Sequence, residues 1–166
     1  GGGKPWAAVQ VLAAVPATAP RDYGYRISRS VQPVSQKQPG KTSRGDVWRV
    51  TLDVEAAQDM AWVVVSDPIP GGARILGDGD GRDSRIDARG DAATNPGRAW
   101  PTYVERSFDG FRAYYARVPK GRFAISYTVR LNNAGDFALP ATRVEAMYAP
   151  EIFGEVPNGR VVVGRD

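Results

Sequence analysis

Cysteine and histidine are both absent from the 166-residue chain. Their absence excludes disulfides, Cys/His zinc sites, Ser-His-Asp or Cys-His catalysis and a histidine general base. No apolar run approaches the length of about 18 residues that a membrane-spanning helix requires. Lysine is scarce: of 22 basic residues only Lys4, Lys37, Lys41 and Lys120 are lysine, and the rest are arginine. They are scattered. So although the net charge is +4 and the pI near 9.6, the basic stripe with interleaved aromatics that marks a nucleic-acid binder is missing. Also missing are G-x-S-x-G, a Walker-type Gly-Lys-Ser and a G-x-G-x-x-G following a strand. The chain reads as a non-enzyme that uses no cofactor, binds no nucleic acid and does not itself insert into a membrane. The lack of cysteine leaves the compartment open.

Glycine and proline are plentiful, at 19 and 13, and they punctuate the chain too often for long helices. Period-two alternation is the dominant signal. Trp48, Val50, Leu52 and Val54 point one way, with Arg49, Thr51 and Asp53 opposite. Phe123, Ile125, Tyr127, Val129 and Leu131 form a second apolar face. This is the pattern of half-buried antiparallel strands. Met60 to Val65 is a continuous apolar run, which predicts a strand covered on both faces, ended by the turn signals Asp67-Pro68-Ile69-Pro70-Gly71-Gly72. Further strands are expected at Trp6–Ala13, Tyr25–Val34, Arg74–Leu76, Tyr103–Phe108, Arg112–Val118, Thr142–Tyr148 and Val161–Val163. Val118-Pro119-Lys120-Gly121 suits a tight turn, with proline fixing φ and glycine free to take a positive one. Asn132-Asn133-Ala134-Gly135-Asp136 is another turn cluster. Many short strands between such turns predict an all-β, immunoglobulin-like antiparallel β-sandwich. Pro16–Asp22 reads as a Pro/Ala linker and Gly77–Gly97 as a long exposed loop.

Several motifs compete with plainer readings. Asp78-Gly79-Asp80-Gly81-Arg82-Asp83 resembles the start of a calcium loop, but Asp83 stands where an EF-hand wants glycine and Arg89 where it wants glutamate. A solvated acidic turn is the plainer account. Arg-Gly-Asp occurs at Arg44-Gly45-Asp46 and at Arg89-Gly90-Asp91. Integrins read this tripeptide on exposed loops, yet Gly45-Asp46 ahead of the Val47 strand also makes a sensible turn. Glu145 with Glu151, or Asp109 with Glu105, are carboxylate pairs of the kind used for acid/base work, but surface charge explains them equally well. The stretch Leu139 to Glu155 is denser in specific features. On a strand, Val144, Ala146 and Tyr148 share one face and Arg143, Glu145 and Met147 the other. Pro150 cannot donate to a ladder and is expected to end that strand. Met147 and Tyr148 then sit near a strand end, where an adaptable thioether and an amphipathic ring suit an interface. The alternative is that Tyr148 is core and Met147 a lone exposed apolar residue.

The chain resembles the last domain of bacterial alpha-2-macroglobulins, the large protease-trap proteins of the periplasm. The resemblance runs from about Tyr25 to Val163. It is carried by Ser43-Arg44-Gly45-Asp46, Trp62 to Gly71, Glu105-Arg106-Ser107-Phe108, Tyr127 to Gly135 and Leu139 to Glu155. It implies a macroglobulin-like domain over 25–166, preceded by a linker at 16–24 and, over 1–15 with Gly3-Lys4-Pro5-Trp6-Ala7, by the final strand of a preceding domain. It further implies a non-catalytic role: this domain packs over a thioester domain of the same parent chain and shields its Cys–Gln bond from water until activation. Tyr148, with Met147 beside it, falls on the family's candidate lock residue. Target endopeptidases would be met only through the whole parent. The parent would be periplasmic, with room for anchoring to the inner membrane as a lipoprotein. A free-standing carbohydrate- or protein-binding β-sandwich is the alternative, to be favoured by a row of exposed aromatics on a concave sheet face.

Overall fold

The alternating segments become strands in the computed structural model, which describes residues 9–11, 17–77 and 99–165. In chain order these are β1 (Arg21–Tyr23), β2 (Tyr25–Ser35), β3 (Val47–Ala56), β4 (Met60–Pro68), β5 (Arg74–Ile75), β6 (Tyr103–Arg106), β7 (Gly110–Val118), β8 (Gly121–Arg130), β9 (Gly135–Phe137), β10 (Thr142–Ala146), β11 (Ala149–Val156) and β12 (Val161–Val163). No helix occurs among the described residues. One sheet has six strands in the order β1-β11-β10-β4-β7-β6 and another has four, β2-β3-β8-β5; β9 and β12 form a small ribbon. All of these pairings are antiparallel.

The chain moves between the sheets at sharp corners. One lies between β3 and β4, and another at Pro119-Lys120 between β7 and β8. Asp59 fastens the two together, accepting hydrogen bonds from the Lys120 amide (2.8 Å) and the Arg117 guanidinium (2.8 Å). Gly121 takes a φ of 128° at the second corner, the freedom expected of that glycine. A third crossing, between β1 and β2, is made at Gly24, where φ is 88° and a Cβ would lie 2.7 Å from Ile152 Cγ2.

The apolar faces meet between the sheets as alternation requires. Val50, Leu52 and Val54 of β3, Ile125, Tyr127 and Val129 of β8, Val63 and Val65 of β4, and Phe111, Ala113 and Tyr115 of β7 are buried together. Phe111 and Tyr127 stack across the gap at 4.5 Å with ring planes 10° apart. One charge lies in this core. Asp67, at the end of β4, is 1% exposed. Its carboxylate accepts two bonds from Arg29 Nε (2.9 and 3.1 Å) and one each from the Tyr127 and Thr142 hydroxyls. β2 and β8 belong to one sheet and β4 and β10 to the other, so the cluster ties the layers together. Burial, and then the Asp67 charge, push the Tyr127 phenol well above its ordinary range.

Several local expectations give way. Arg21–Tyr23, inside the stretch read as a linker, pairs with β11. Only Val63, Val64 and Val65 of the Met60–Val65 run are buried; Ala61 and Trp62 are exposed. The strand from Thr142 stops at Ala146 rather than Tyr148, and Pro150 does not end it. Pro150 lies in β11, where the register jumps from Glu145↔Phe153 to Ala146↔Ala149, so Pro150 to Ile152 bulge away from the ladder. A bulge is one of the places where a sheet tolerates proline. The turn cluster at Asn132 runs directly into β9. Of the Trp6–Ala13 candidate only 9–11 are described, and they belong to no strand. The Asp78–Asp83 loop, Arg89-Gly90-Asp91 and nearly all of Gly77–Gly97 lie outside the described residues.

Candidate interaction surface

The bulge in β11 shapes the chain beyond Ala146. β10 and β11 form a hairpin whose tip is Met147-Tyr148. Tyr148 is 81% exposed and Met147 47%, so neither is core. The tip rests on Trp62 of β4. The Met147 amide donates to the Trp62 carbonyl at 2.7 Å, and the Trp62 and Tyr148 rings meet edge to face at 6.3 Å and 89°. Trp62 is itself 53% exposed. A Met, a Tyr and a Trp thus form an apolar knob at one end of the six-stranded sheet. Aromatic, Met-rich clusters of this kind are typical of interface cores.

Behind the knob, register organises the outer face of the same sheet into rows. Tyr103, Tyr114, Val64, Glu145, Phe153 and Tyr23 lie side by side across it. Tyr103 packs on Tyr114 at 5.9 Å, and Tyr23 on Phe153 at 4.9 Å. Val64 and Glu145 separate the two aromatic pairs, so there is no continuous aromatic strip. Two residues along each strand comes a polar row: Glu105, Arg112, Ser66, Arg143, Glu155 and Arg21. Arg143 joins Glu145 (2.6 Å) and Glu155 (3.0 Å) and lies over the Phe153 ring at 4.0 Å. Desolvation, reinforced by its hydrogen bond to Glu105, pushes the Tyr114 phenol up.

The carboxylates singled out from sequence are used elsewhere. Asp109 and Glu105 come together, but only through Arg112, which lies between them at 2.9 and 3.1 Å. The Ser107 hydroxyl, and then Arg112, hold the Asp109 carboxyl below its usual range. Glu145 is tied to Arg143, whereas Glu151 takes part in none of these contacts. An open groove of about 600 Å³ at the far end of the sheet is lined by Ile69, Phe108, Phe137 and Leu139, with Asp67, Asp109 and Asp136 at its walls. Each of those acids is paired with an arginine. Among the described residues no group of three acids, histidines or cysteines is placed to hold a metal. Arg44-Gly45-Asp46 does not present its acid. Asp46 is 1% exposed and accepts the Ser43 and Lys37 amides at 2.8 and 2.9 Å, while Gly45 turns with φ 97°. The turn account of that motif holds.

The sequence led to Met147 and Tyr148 but not to Trp62. Its only signal was a large aromatic within an otherwise aliphatic run. Nor did the sequence show that Asp67, which it places among turn residues, is a buried anchor.

A family profile described as "Bacterial Alpha-2-macroglobulin MG10 domain" matches residues 24–151, in agreement with the resemblance carried by the motifs. An alpha-2-macroglobulin homolog from Nostoc is 24% identical over 153 residues, covering 84% of this chain and 8% of the relative. Circularly permutated Ras protein 2 of Dictyostelium discoideum is 26% identical over 123 residues, covering 74% of this chain and 3% of the relative. The chain therefore spans less than a tenth of the length of either curated relative. The crystal structure of native alpha-2-macroglobulin from Escherichia coli, from domain MG7 to the C-terminus, superposes with a TM-score of 0.70 at 20% identity over 90% of this chain and 25% of that one. This shared fold is the macroglobulin-type sandwich.

Proposed function

The chain belongs to the bacterial alpha-2-macroglobulin MG10 domain family, and from that footing we propose that it is a non-catalytic cover within a larger periplasmic protease trap. Its partners are the neighbouring domains of its own parent chain, above all the one holding the reactive Cys–Gln thioester. Proteases are engaged by the parent as a whole. The observation that carries the reading is the Met147-Tyr148 tip, an apolar pair that the fold leaves uncovered at a hairpin end. Seated over a thioester, a phenol ring and a thioether exclude water and slow hydrolysis. Withdrawal of the tip by domain movement exposes the bond. The test is the rate at which methylamine consumes the thioester of the full-length parent. Tyr148→Ala is expected to speed it, and an unchanged lifetime overturns the shielding role.

A second reading, a free-standing carbohydrate- or protein-binding module, draws support from the exposed Tyr103 on Tyr114. Retardation of this chain in polysaccharide-containing gels, abolished by Tyr103→Ala, would favour it.

A further inference from the structure

We propose that Trp62 is the positioning residue of the Met147-Tyr148 tip, holding Tyr148 outward before any partner arrives. The inference rests on reading that tip as a cover, and it adds the residue that presets it.

Trp62 has a φ of 55° and is the only non-glycine residue with positive φ among the described residues. The left-handed region is unfavourable for a bulky L-side chain and persists only where the surroundings impose it. Such outliers gather where a geometry is required. Here the requirement is visible. The β4–β7 ladder pairs Ala61 with Arg117 and Val63 with Tyr115 but skips Trp62. The Trp62 carbonyl instead accepts the Met147 amide at 2.7 Å. The indole, half exposed and outside the core cluster, meets the Tyr148 ring edge to face at 6.3 Å. One strained residue therefore fixes the tip twice, through the backbone of Met147 and the ring of Tyr148. An unsupported tyrosine on a two-residue tip would sample several rotamers and lose that freedom on docking. A braced one has already lost it, which favours the seated state.

Two substitutions separate positioning from general stability. Trp62→Gly removes the ring but accepts the positive φ and keeps the carbonyl. Trp62→Phe keeps an aromatic edge. In this chain, Trp62→Gly is expected to leave the melting temperature unchanged or raised and Met147 amide exchange still slow. The Tyr148 ring resonances should lose their ring-current shifts and move to solvent-exposed positions. Trp62→Phe should retain most of the shift. In the full-length parent, Trp62→Gly should speed methylamine consumption about three- to tenfold, the population change that losing one edge-to-face pair implies, and Trp62→Phe should restore it. The inference is overturned if Tyr148 resonances are unaffected by Trp62→Gly. It is also overturned if Tyr148→Ala speeds the reaction while Trp62→Gly does not, or if faster reaction appears only with a matching fall in melting temperature. If Tyr148→Ala itself changes nothing, the cover reading fails, and the ring shifts in this chain still decide whether Trp62 positions the tip.

Discussion

The two ends of β4 invert opposite rules. At one end Asp67 is a charge inside the core. At the other Trp62 is an aromatic outside it, in a backbone conformation that does not suit it. Asp67 is saturated: four hydrogen bonds from three side chains use its oxygens, and the cluster fixes how one sheet lies on the other. Trp62 and the tip it supports are unsaturated, with apolar area that none of the described residues covers. A buried charge with every partner inside the fold serves the fold. An exposed aromatic cluster, strained and pre-set, is what the proposed cover would turn to its partner.

The largest effect should come from unpairing the inner end. Asp67→Ala leaves the mostly buried Arg29 cation without its anion and takes the acceptor from two hydroxyls, and urea unfolding should register a loss of about 3–5 kcal/mol. A loss below about 1 kcal/mol would mean that the cluster is not an anchor. Alkali attacks the core through its buried phenols, one of which, Tyr127, donates to Asp67. Tyr127 and Tyr115 are raised by burial, and Tyr25 is pushed up to about 12 by the same cause. The fold holds each phenol neutral, so stability is fully present below their ordinary value of 10.0. Above it the unfolded chain releases protons that the folded chain keeps. Stability should then fall by about 1.4 kcal/mol per pH unit for each such tyrosine, to be read from urea midpoints at about pH 9 and 11, either side of the ordinary phenol value, beside tyrosinate absorbance. A smaller version of the inner end is Asp46. Asp46→Ala strands two amides and should cost about 1–3 kcal/mol, measurable as a lowered melting temperature. The smallest effect belongs to the outer end: Tyr148→Ala should leave the stability of this chain within about 0.5 kcal/mol. If Tyr148→Ala destabilised the domain as Asp67→Ala does, the contrast between the two ends would vanish.

Alternation made β2, β3, β7 and β8 legible because each buries one face along much of its length, and Pro119-Lys120-Gly121 announced a corner through φ alone. β1 escaped notice: three exposed residues beside Gly24 carry no periodic signal, and only pairing with β11 makes them a strand. Asp67 escaped because its partners lie 38, 60 and 75 residues away, beyond any local pattern. Pro150 misled because a bulge, not a strand end, receives it. Tyr148 was legible as a residue near a strand end, and Trp62 was not, since neither a left-handed φ nor a contact across to a later hairpin is written in the residues around it.

The sheet margins carry a consequence of their own. β1, β5 and β6 are brief, and β2, the one long margin, is interrupted at Pro33, where its register with β3 also slips. Such borders give a stray strand little to template on. A domain made this way can be crowded among other sheet-built modules without annealing to them, so its associations are left to side chains rather than to backbone zippering.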